Sequence, residues 1–500
     1  MDIFSNLALG FGTALSFQNL LYCFVGVAIG TFIGVLPGLG PTATVAILLP
    51  LTFGLEPVSA LIMLSGIYYG AQYGGSTTAI LINLPGEASS VVTAIDGYQL
   101  ARQGRAGAAL ATAALGSFFA GCVATLLLAL FSPPLAAVAL KFGSPEYFAL
   151  VVLGLVASVA LASGSVMKAL AMVVLGLLLG LVGQDLYTGT MRYTYGQSQL
   201  IEGLDFVAIA MGVFGLGEVI RNLEQPGQRS IIVNKIEGLM LTLRDLKQIA
   251  KPVLRGTMLG SALGVLPGGG AMLASFASYM LEKRIARNPE RFGKGAIEGV
   301  AGPESANNAG AQTSFVPMLT LGIPTNAVMA LMVGALIVVG VTPGPNIIKA
   351  QPALFWGVIA SMWIGNLMLV ILNLPLIGLW VRLLRVPYHL LYPAIVTFCC
   401  IGAYSLANHV FDVFVMAGFG LVGYVLVKLD CEPAPLLLGF ILGPMLEEHL
   451  RRAMLMARGD WTVFFTNPIS GALLCVAFVA LVLVLLPSIS SARQEAFVEE

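Results

Sequence analysis

The sequence predicts an all-α polytopic membrane protein built as two inverted repeats with broken helices. Three observations predict it. Of 500 residues, 58% are hydrophobic and 10% are charged, where soluble domains carry about 25% charge. The apolar runs are continuous and recur along nearly the whole chain. The pattern at residues 26–40 also returns at residues 256–270.

At about 20 apolar residues per crossing, the runs leave room for about 10–12 transmembrane or re-entrant helical segments. Only helices and closed barrels satisfy every backbone polar group in lipid, and these runs do not alternate as barrel strands do. The formal net charge is zero, so a basic nucleic-acid footprint is missing and no nucleic-acid partner is expected. No basic region precedes the first apolar run, so no removed signal peptide is expected. The cysteines Cys23, Cys122, Cys399, Cys400, Cys431 and Cys475 make no Cys-x-x-Cys pair and read as small core hydrophobes.

The first membrane repeat is expected over residues 1–220 and the second over 256–450. GVAIGTFIGVLPGLG at 26–40 and GTMLGSALGVLPGGG at 256–270 share eight of fifteen positions at an offset of 230. Glycine at every fourth position leaves one helix face bare, so another backbone can approach it, and plain helix packing accounts for Gly26, Gly30, Gly34 and their counterparts. The Pro-Gly-x-Gly endings are different. They stop a helix, and a broken helix at membrane depth is tolerated only if buried in protein or lining a wet cavity. Gly38, Leu39, Gly40, Gly268, Gly269 and Gly270 are therefore expected to line a binding site.

The next landmark in each half is a polar stretch in an apolar setting: 70–90 and 307–326. Gly70-Ala71-Gln72 returns as Gly310-Ala311-Gln312 at offset 240, and Pro85 returns as Pro324 at offset 239. A short unwound turn opening into a helix presents free N–H groups and a positive dipole end, which suits a carboxylate; nearby hydroxyls and carbonyls suit Na⁺. The expected substrate-binding residues are Gly74, Gly75, Ser76, Thr77 and Thr78 with Asn308, Gln312, Thr313 and Ser314. Asn83, Thr325, Asn326, Glu87 and Glu304 are the candidates for a coupling ion, Na⁺ or H⁺. Interhelical hydrogen bonding by small polar residues is the alternative explanation for both stretches. Glu56, Asp96, Glu218 and Asp412 read mostly as helix-end residues.

Lys and Arg set the orientation. The connector 221–255 and the segment 283–294 are both basic and should be cytoplasmic. The stretch 256–282 between them should enter and leave on one side, as a re-entrant hairpin or two short spans. Arg102 and Arg105 mark a cytoplasmic loop, whereas the matching stretch near Thr342-Pro343-Gly344 has only Lys349 and should lie outside. The halves therefore read as inverted. Helices at about 145–164, 165–184 and 203–220 return the chain to the cytoplasm. Residues 451–500 hold a loop, a last helix at about 464–487 and a tail; Arg451, Arg452 and Arg458 make that loop cytoplasmic.

Internal repeats with broken helices are a feature of secondary transporters, with the site between the repeats. A channel would need a continuous polar stripe, and an intramembrane enzyme a paired nucleophile and base or two apposed aspartates; neither stands out. His389, His409 and His449 lack ligand spacing, and no His-Glu-x-x-His, Gly-x-Ser-x-Gly or Walker loop is present, so neither an enzyme, a bound metal beyond Na⁺, nor another cofactor is expected.

GVLPGLGPTA (34–43), YGAQYGGSTTAILINLPGEASSVVTAIDGY (69–98), GVLPGGGAMLASFASY (264–279), GPESANNAGAQTSFVPMLTLGIPTNAVMALMVGAL (302–336) and GVTPGPNI (340–347) resemble the large membrane subunit (TctA family) of the tripartite tricarboxylate transporters. The resemblance runs across essentially the entire chain. It implies a secondary transporter of citrate-like or other carboxylates in the bacterial inner membrane, driven by a Na⁺ or H⁺ gradient. It also implies two partners, a small four-helix membrane subunit and a periplasmic substrate-binding protein.

Overall fold

The computed structural model describes residues 3–36, 39–162, 165–185, 187–224, 239–266, 270–383 and 388–485. The chain is helical almost throughout. Its first half runs through α1 (Ile3–Ala14), α2 (Phe17–Gly34), α3 (Pro41–Leu48), α4 (Pro57–Ile82), α5 (Val91–Arg102), α6 (Ala106–Ala139), α7 (Ser144–Leu161) and α8 (Val166–Leu179). It ends on α9 (Phe206–Ala210) and α10 (Gly217–Glu224), joined by a π turn over Met211–Leu216. The second half comprises α11 (Leu243–Gly264), α12 (Gly270–Ile285), α13 (Glu298–Thr313), α14 (Phe315–Leu321), α15 (Ala327–Val338), α16 (Ile347–Ala350), α17 (Pro352–Asn373), α18 (Ile377–Leu383), α19 (Tyr388–Ala407), α20 (Val410–Lys428) and α21 (Ala434–Met456). Two helices, α22 (Val463–Thr466) and α23 (Pro468–Leu485), follow. Among the described residues, the strands are one short antiparallel pair, β1 (Gly183–Gln184) and β2 (Met191–Arg192).

Six of the described helical stretches are long and apolar enough to cross a membrane. The helices that carry the two polar stretches, α4, α13 and α14, are not among them. In α4 every residue from 59 to 81 is buried, and in α13 and α14 every residue from 299 to 320. Protein rather than lipid surrounds these helices, which is the condition under which Ser, Thr, Asn and Glu are tolerated at membrane depth.

The glycine faces explain how the polar helices are held. A Cβ on Gly26, Gly30 or Gly34 would lie 2.3, 2.3 and 2.4 Å from the carbonyls of Met63, Ile67 and Ala71. On Gly256, Gly260 and Gly264 it would lie 2.2, 2.2 and 2.4 Å from those of Gly302, Ala306 and Gly310. α2 thus lies parallel to α4 in direct backbone contact, and α11 lies parallel to α13. These contacts correct one expectation: the polar helices correspond at offset 239, pairing Ala71 with Gly310, and not at 240. Backbone-to-backbone seating, rather than the Gly-Ala-Gln identity, sets the register.

Between the members of each pair the chain turns back. α3 and α12 pack against both neighbours, so α11 and α12 form a hairpin whose two outer ends lie together.

The halves run in opposite directions. Tyr68 and Tyr69 of α4 sit 6.5 and 6.0 Å, ring to ring, from Phe315, while Ser76 lies beside Glu304. Counterparts α4 and α13–α14 therefore cross antiparallel. α6 and α17 do the same: Trp363 Nε1 donates to the Cys122 carbonyl at 3.1 Å, while Leu110 and Ala114 share a cavity with Asn373 and Leu374. The basic segments collect at one end, where Arg105 meets Asp245 at 2.7 Å and Gln103 donates to the Lys294 carbonyl at 2.7 Å.

Arg451 departs from its expected side. It pairs with Asp185 at 2.9 Å and Glu447 at 2.6 Å, and Arg192 joins Glu447 at 2.8 Å. This cluster lies beyond the start of α9, at the opposite end of α9–α10 from Glu224, which binds Lys428 at 2.6 Å. Of the positive charges that suggested a cytoplasmic loop, Arg451 is paired with Asp185, far away in sequence, and with Glu447, and Arg452 is paired with Glu448.

Candidate functional site

Each polar helix ends in the same way. α4 stops at Asn83 in the left-handed region (φ 56°), and α14 stops at Gly322 (φ 74°), its counterpart at offset 239. The chain then doubles back in extended form and re-enters a helix at Glu87 (φ −149°) or Asn326 (φ −154°). Leu-Pro-Gly and Ile-Pro-Thr supply the break, because proline cannot continue the helix and biases the preceding residue to extended backbone. In the first half Gly86 lies on Gly75, where a Cβ on Gly86 would come within 2.5 Å of the Gly75 Cα. The unwound turns are thus 83–87 and 322–326, several residues beyond the Gly74-Gly75 and Thr313-Ser314 steps, which remain helical or at a helix junction.

Four helix N-termini converge as a result. α3 begins at Pro41 behind Gly40, α12 at Gly270, α5 through the turn Ala88–Ser90 behind Glu87, and α15 behind Asn326. All four face one cavity of about 630 Å³, whose walls include Gly40, Pro41 and Thr42, Gly86, Glu87 and Ser89, Ala271 and Met272, and Asn326 and Ala327. Each N-terminus carries roughly half a positive charge and unpaired N–H groups. A cavity within the range of about 300–1,000 Å³ for small-ligand sites thus presents four backbone dipoles to an anion, with the carboxyl groups of Glu87, Glu218 and Glu432 in the same walls.

The two halves also interlock across it. Asn307 Nδ2 donates to Glu87 Oε1 at 2.7 Å, and Tyr68 and Asn326 line the same cavity. At offset 239 Glu87 corresponds to Asn326 and Tyr68 to Asn307. The first half's turn is therefore held by the second half's buried helix. The cavity runs on to Glu218, Arg221 and Asn222 of α10 and to Glu432 before α21, the end that carries the basic connector.

Of the sequence-predicted residues, Gly40, Glu87 and Asn326 line this cavity, and Gly270 precedes the lining residue Ala271. Gly38, Gly268 and Gly269 lie outside the described residues. The others stand behind the wall. Gly74 admits the backbone of Gly34 and Val35, and Gly75 seats Gly86. Thr77 and Thr78 donate to carbonyls of their own helix, as does Thr313, while Ser314 reaches both Gly310 and Gly264. Asn308 donates to Ser117 at 2.7 Å, and Gln312 accepts from Thr125 at 3.3 Å. Asn83 caps α4, and Thr325 is buried with its hydroxyl lacking a protein partner. Ser76 and Glu304 form a separate cluster, described below. Among the ionisable residues read as helix-end groups, Asp96 is in the middle of α5 and fully buried; its Oδ1 accepts the N–H groups of Gly293, Gly295 and Ala296 at 2.9, 2.8 and 2.7 Å. Sequence reasoning missed Tyr68, Gln72, Thr42 and Ser89. The N-cap signals Gly-Pro-Thr and Glu-Ala-Ser-Ser, each after a break, could have found the last two.

The family model described as "Tripartite tricarboxylate transporter TctA family" matches residues 20–438, a span that contains all four converging N-termini. A protein of Agrobacterium vitis, "Uncharacterized 52.8 kDa protein in TAR-I ttuC' 3'region", is 67% identical over 500 residues, covering 100% of both chains. A second from the same organism, "Uncharacterized protein in TAR-II ttuC' 3'region", is 67% identical over 241 residues, which is 48% of this chain and 100% of its own. No solved structure matches.

Proposed function

We propose, from the premise that this chain belongs to the tripartite tricarboxylate transporter TctA family, that it forms the large transmembrane subunit of a binding-protein-dependent secondary active importer of tricarboxylates or other small carboxylates. The convergence of four helix N-termini on one cavity carries this reading. Four half-charges offer about two units of positive potential to a di- or tricarboxylate without a buried lysine or arginine. Arg221, at the mouth, lies on the route toward the basic end and pairs with Glu218 at 3.7 Å.

Uptake is coupled to a Na⁺ or H⁺ gradient across the bacterial inner membrane. A small four-helix membrane subunit and a periplasmic binding protein complete the system. The inverted halves support alternating access, in which rigid, elevator-like displacement of one group of helices exposes the same four N-termini to either side. The cavity leads toward the basic end, which supports reading this conformation as inward-facing. At the other end Phe206 and Phe440 stack at 6.4 Å, and Phe206 fills the place where a Cβ on Gly334 would sit.

Proteoliposomes containing the chain, its small partner and the binding protein, with labelled di- and tricarboxylates outside, test the reading. Accumulation should follow an imposed Na⁺ or pH gradient and need no ATP. Accumulation that requires ATP, or that is equal without either gradient, contradicts it.

A further inference from the structure

Glu304 lies in the middle of α13 with 1% of its surface exposed, and its charged neighbour is another carboxylate, Glu87. Its polar partners are hydroxyls. Thr93 Oγ1 donates to Oε1 at 2.5 Å, and Ser76 and Ser117 donate to Oε2 at 2.8 and 3.5 Å. A buried, ionised carboxylate without a counter-charge costs several kcal/mol, and neutral hydroxyls offset only part of it.

Beside Glu304 is a cavity of about 20 Å³, lined among others by Tyr73, Ser76, Thr77, Ser117 and Asn373. One water-sized body needs about 10–15 Å³. Asn373 is 5% exposed; its Nδ2 donates to the Leu369 carbonyl at 2.9 Å, while its Oδ1 has no partner. The void therefore brings together a carboxylate, an unpartnered amide oxygen and hydroxyl oxygens, with no cationic side chain among the residues that line it. Oxygen donors of this kind suit a hard cation. One carboxylate balances one positive charge, whereas a divalent ion would leave a buried excess.

We propose that Glu304, Asn373, Ser76 and Ser117 form a Na⁺ site buried between the two halves. Ser76 and Ser117 come from the first half, Glu304 and Asn373 from the second, so an ion here fastens one half to the other. The site also adjoins the carboxylate cavity: Asn307, one turn beyond Glu304, donates to Glu87, and Gly75, next to Ser76, seats Gly86. Ion and substrate then bias the same helices, and the coupling is reciprocal. The coupling role rests on the transporter reading; the ion site rests on this geometry alone.

The test is equilibrium binding of radioactive Na⁺ to the purified full-length chain in lipid nanodiscs, with K⁺ as competitor and without carboxylate. Saturable binding that K⁺ displaces poorly is expected. Glu304→Gln, which keeps the side-chain shape, should weaken it by more than about tenfold, and Asn373→Leu and Ser117→Ala should each weaken it measurably. Asp185→Asn, at the far end, should leave it unchanged. If Glu304→Gln fails to fold, Asn373→Leu and Ser117→Ala decide. Absence of saturable Na⁺ binding, or binding that these substitutions leave unchanged, overturns the site. Carboxylate uptake without Na⁺ binding defeats this site alone, and Na⁺ binding without carboxylate uptake defeats the transporter reading alone.

Discussion

Gly86 shows how little space the cavity wall has. Its Cβ would lie 2.5 Å from the Gly75 Cα, backbone against backbone, with no flexible side chain to yield. Gly86→Ala should force the 83–87 turn away from α4, at a cost of about 1–3 kcal/mol. Carboxylate uptake should fall below about a tenth of the wild-type rate while membrane insertion, read by detergent extraction and gel filtration, is retained. Asp96 plays a different part. Asp96→Ala would leave one buried and two part-buried backbone N–H groups without their acceptor, together worth about 3 kcal/mol, and the melting temperature in detergent should drop accordingly. Much at this scale was legible in the sequence: the glycines before each break, and Glu87 and Asn326, which were expected as coupling-ion candidates and line the cavity. Tyr68 was not, because it comes to the cavity wall beside Asn326 only after the halves interlock. Asp96 looked like a helix-end residue because the backbone it holds lies about 200 residues on, beyond any local pattern.

At the scale of elements, sequence identity located the repeats but misplaced their detail by small steps. The Gly-Ala-Gln repeat suggested offset 240, whereas seating of the glycine faces on α4 and α13 requires 239. Polar density drew attention to Gly74-Gly75 and Thr313-Ser314, yet burial on all sides keeps those steps within helical stretches and moves the breaks to Asn83 and Gly322. The loop joining α8 to α9 offers a test of an element held by charge. The Asp185 carboxyl is pushed down to about 2, first by the Tyr187 N–H, then by the Thr188 N–H and Arg451. Its pKa is lower folded than unfolded, so its contribution is complete above about pH 4 and is lost as pH falls from there through about 2. Hydrogen exchange, compared at matched intrinsic rates, should show the Tyr187 and Thr188 amides protected relative to Asp185→Asn at pH 6, with the difference vanishing near pH 2. Equal protection of both proteins at pH 6 would remove Asp185 as the anchor.

For the whole molecule, inversion was readable from the distribution of Lys and Arg, and the antiparallel crossings of α4 with α13–α14 and of α6 with α17 give it physical form. What no one-dimensional pattern could give is the cross-bracing, in which α6 packs on α13 and α17 on α4, so that each half is completed by the other. Under the proposed alternating access, such a body moves by changing which end is sealed. A short thiol-specific cross-linker between Phe206→Cys and Phe440→Cys, in a chain without other cysteines, should stop uptake by holding the outer end shut, and cleaving the cross-link should restore it. The claim on which the rest depends is that the four helix N-termini hold the carboxylate. In the same cysteine-free chain, Thr42→Cys samples one half's N-termini and Ala271→Cys the other's. A soluble maleimide reaching the cavity from the basic end should label both, and a transported carboxylate at saturating concentration should protect both with one concentration dependence. Labelling at both positions that is indifferent to the carboxylate, in a protein that still transports it, would show that the substrate binds elsewhere.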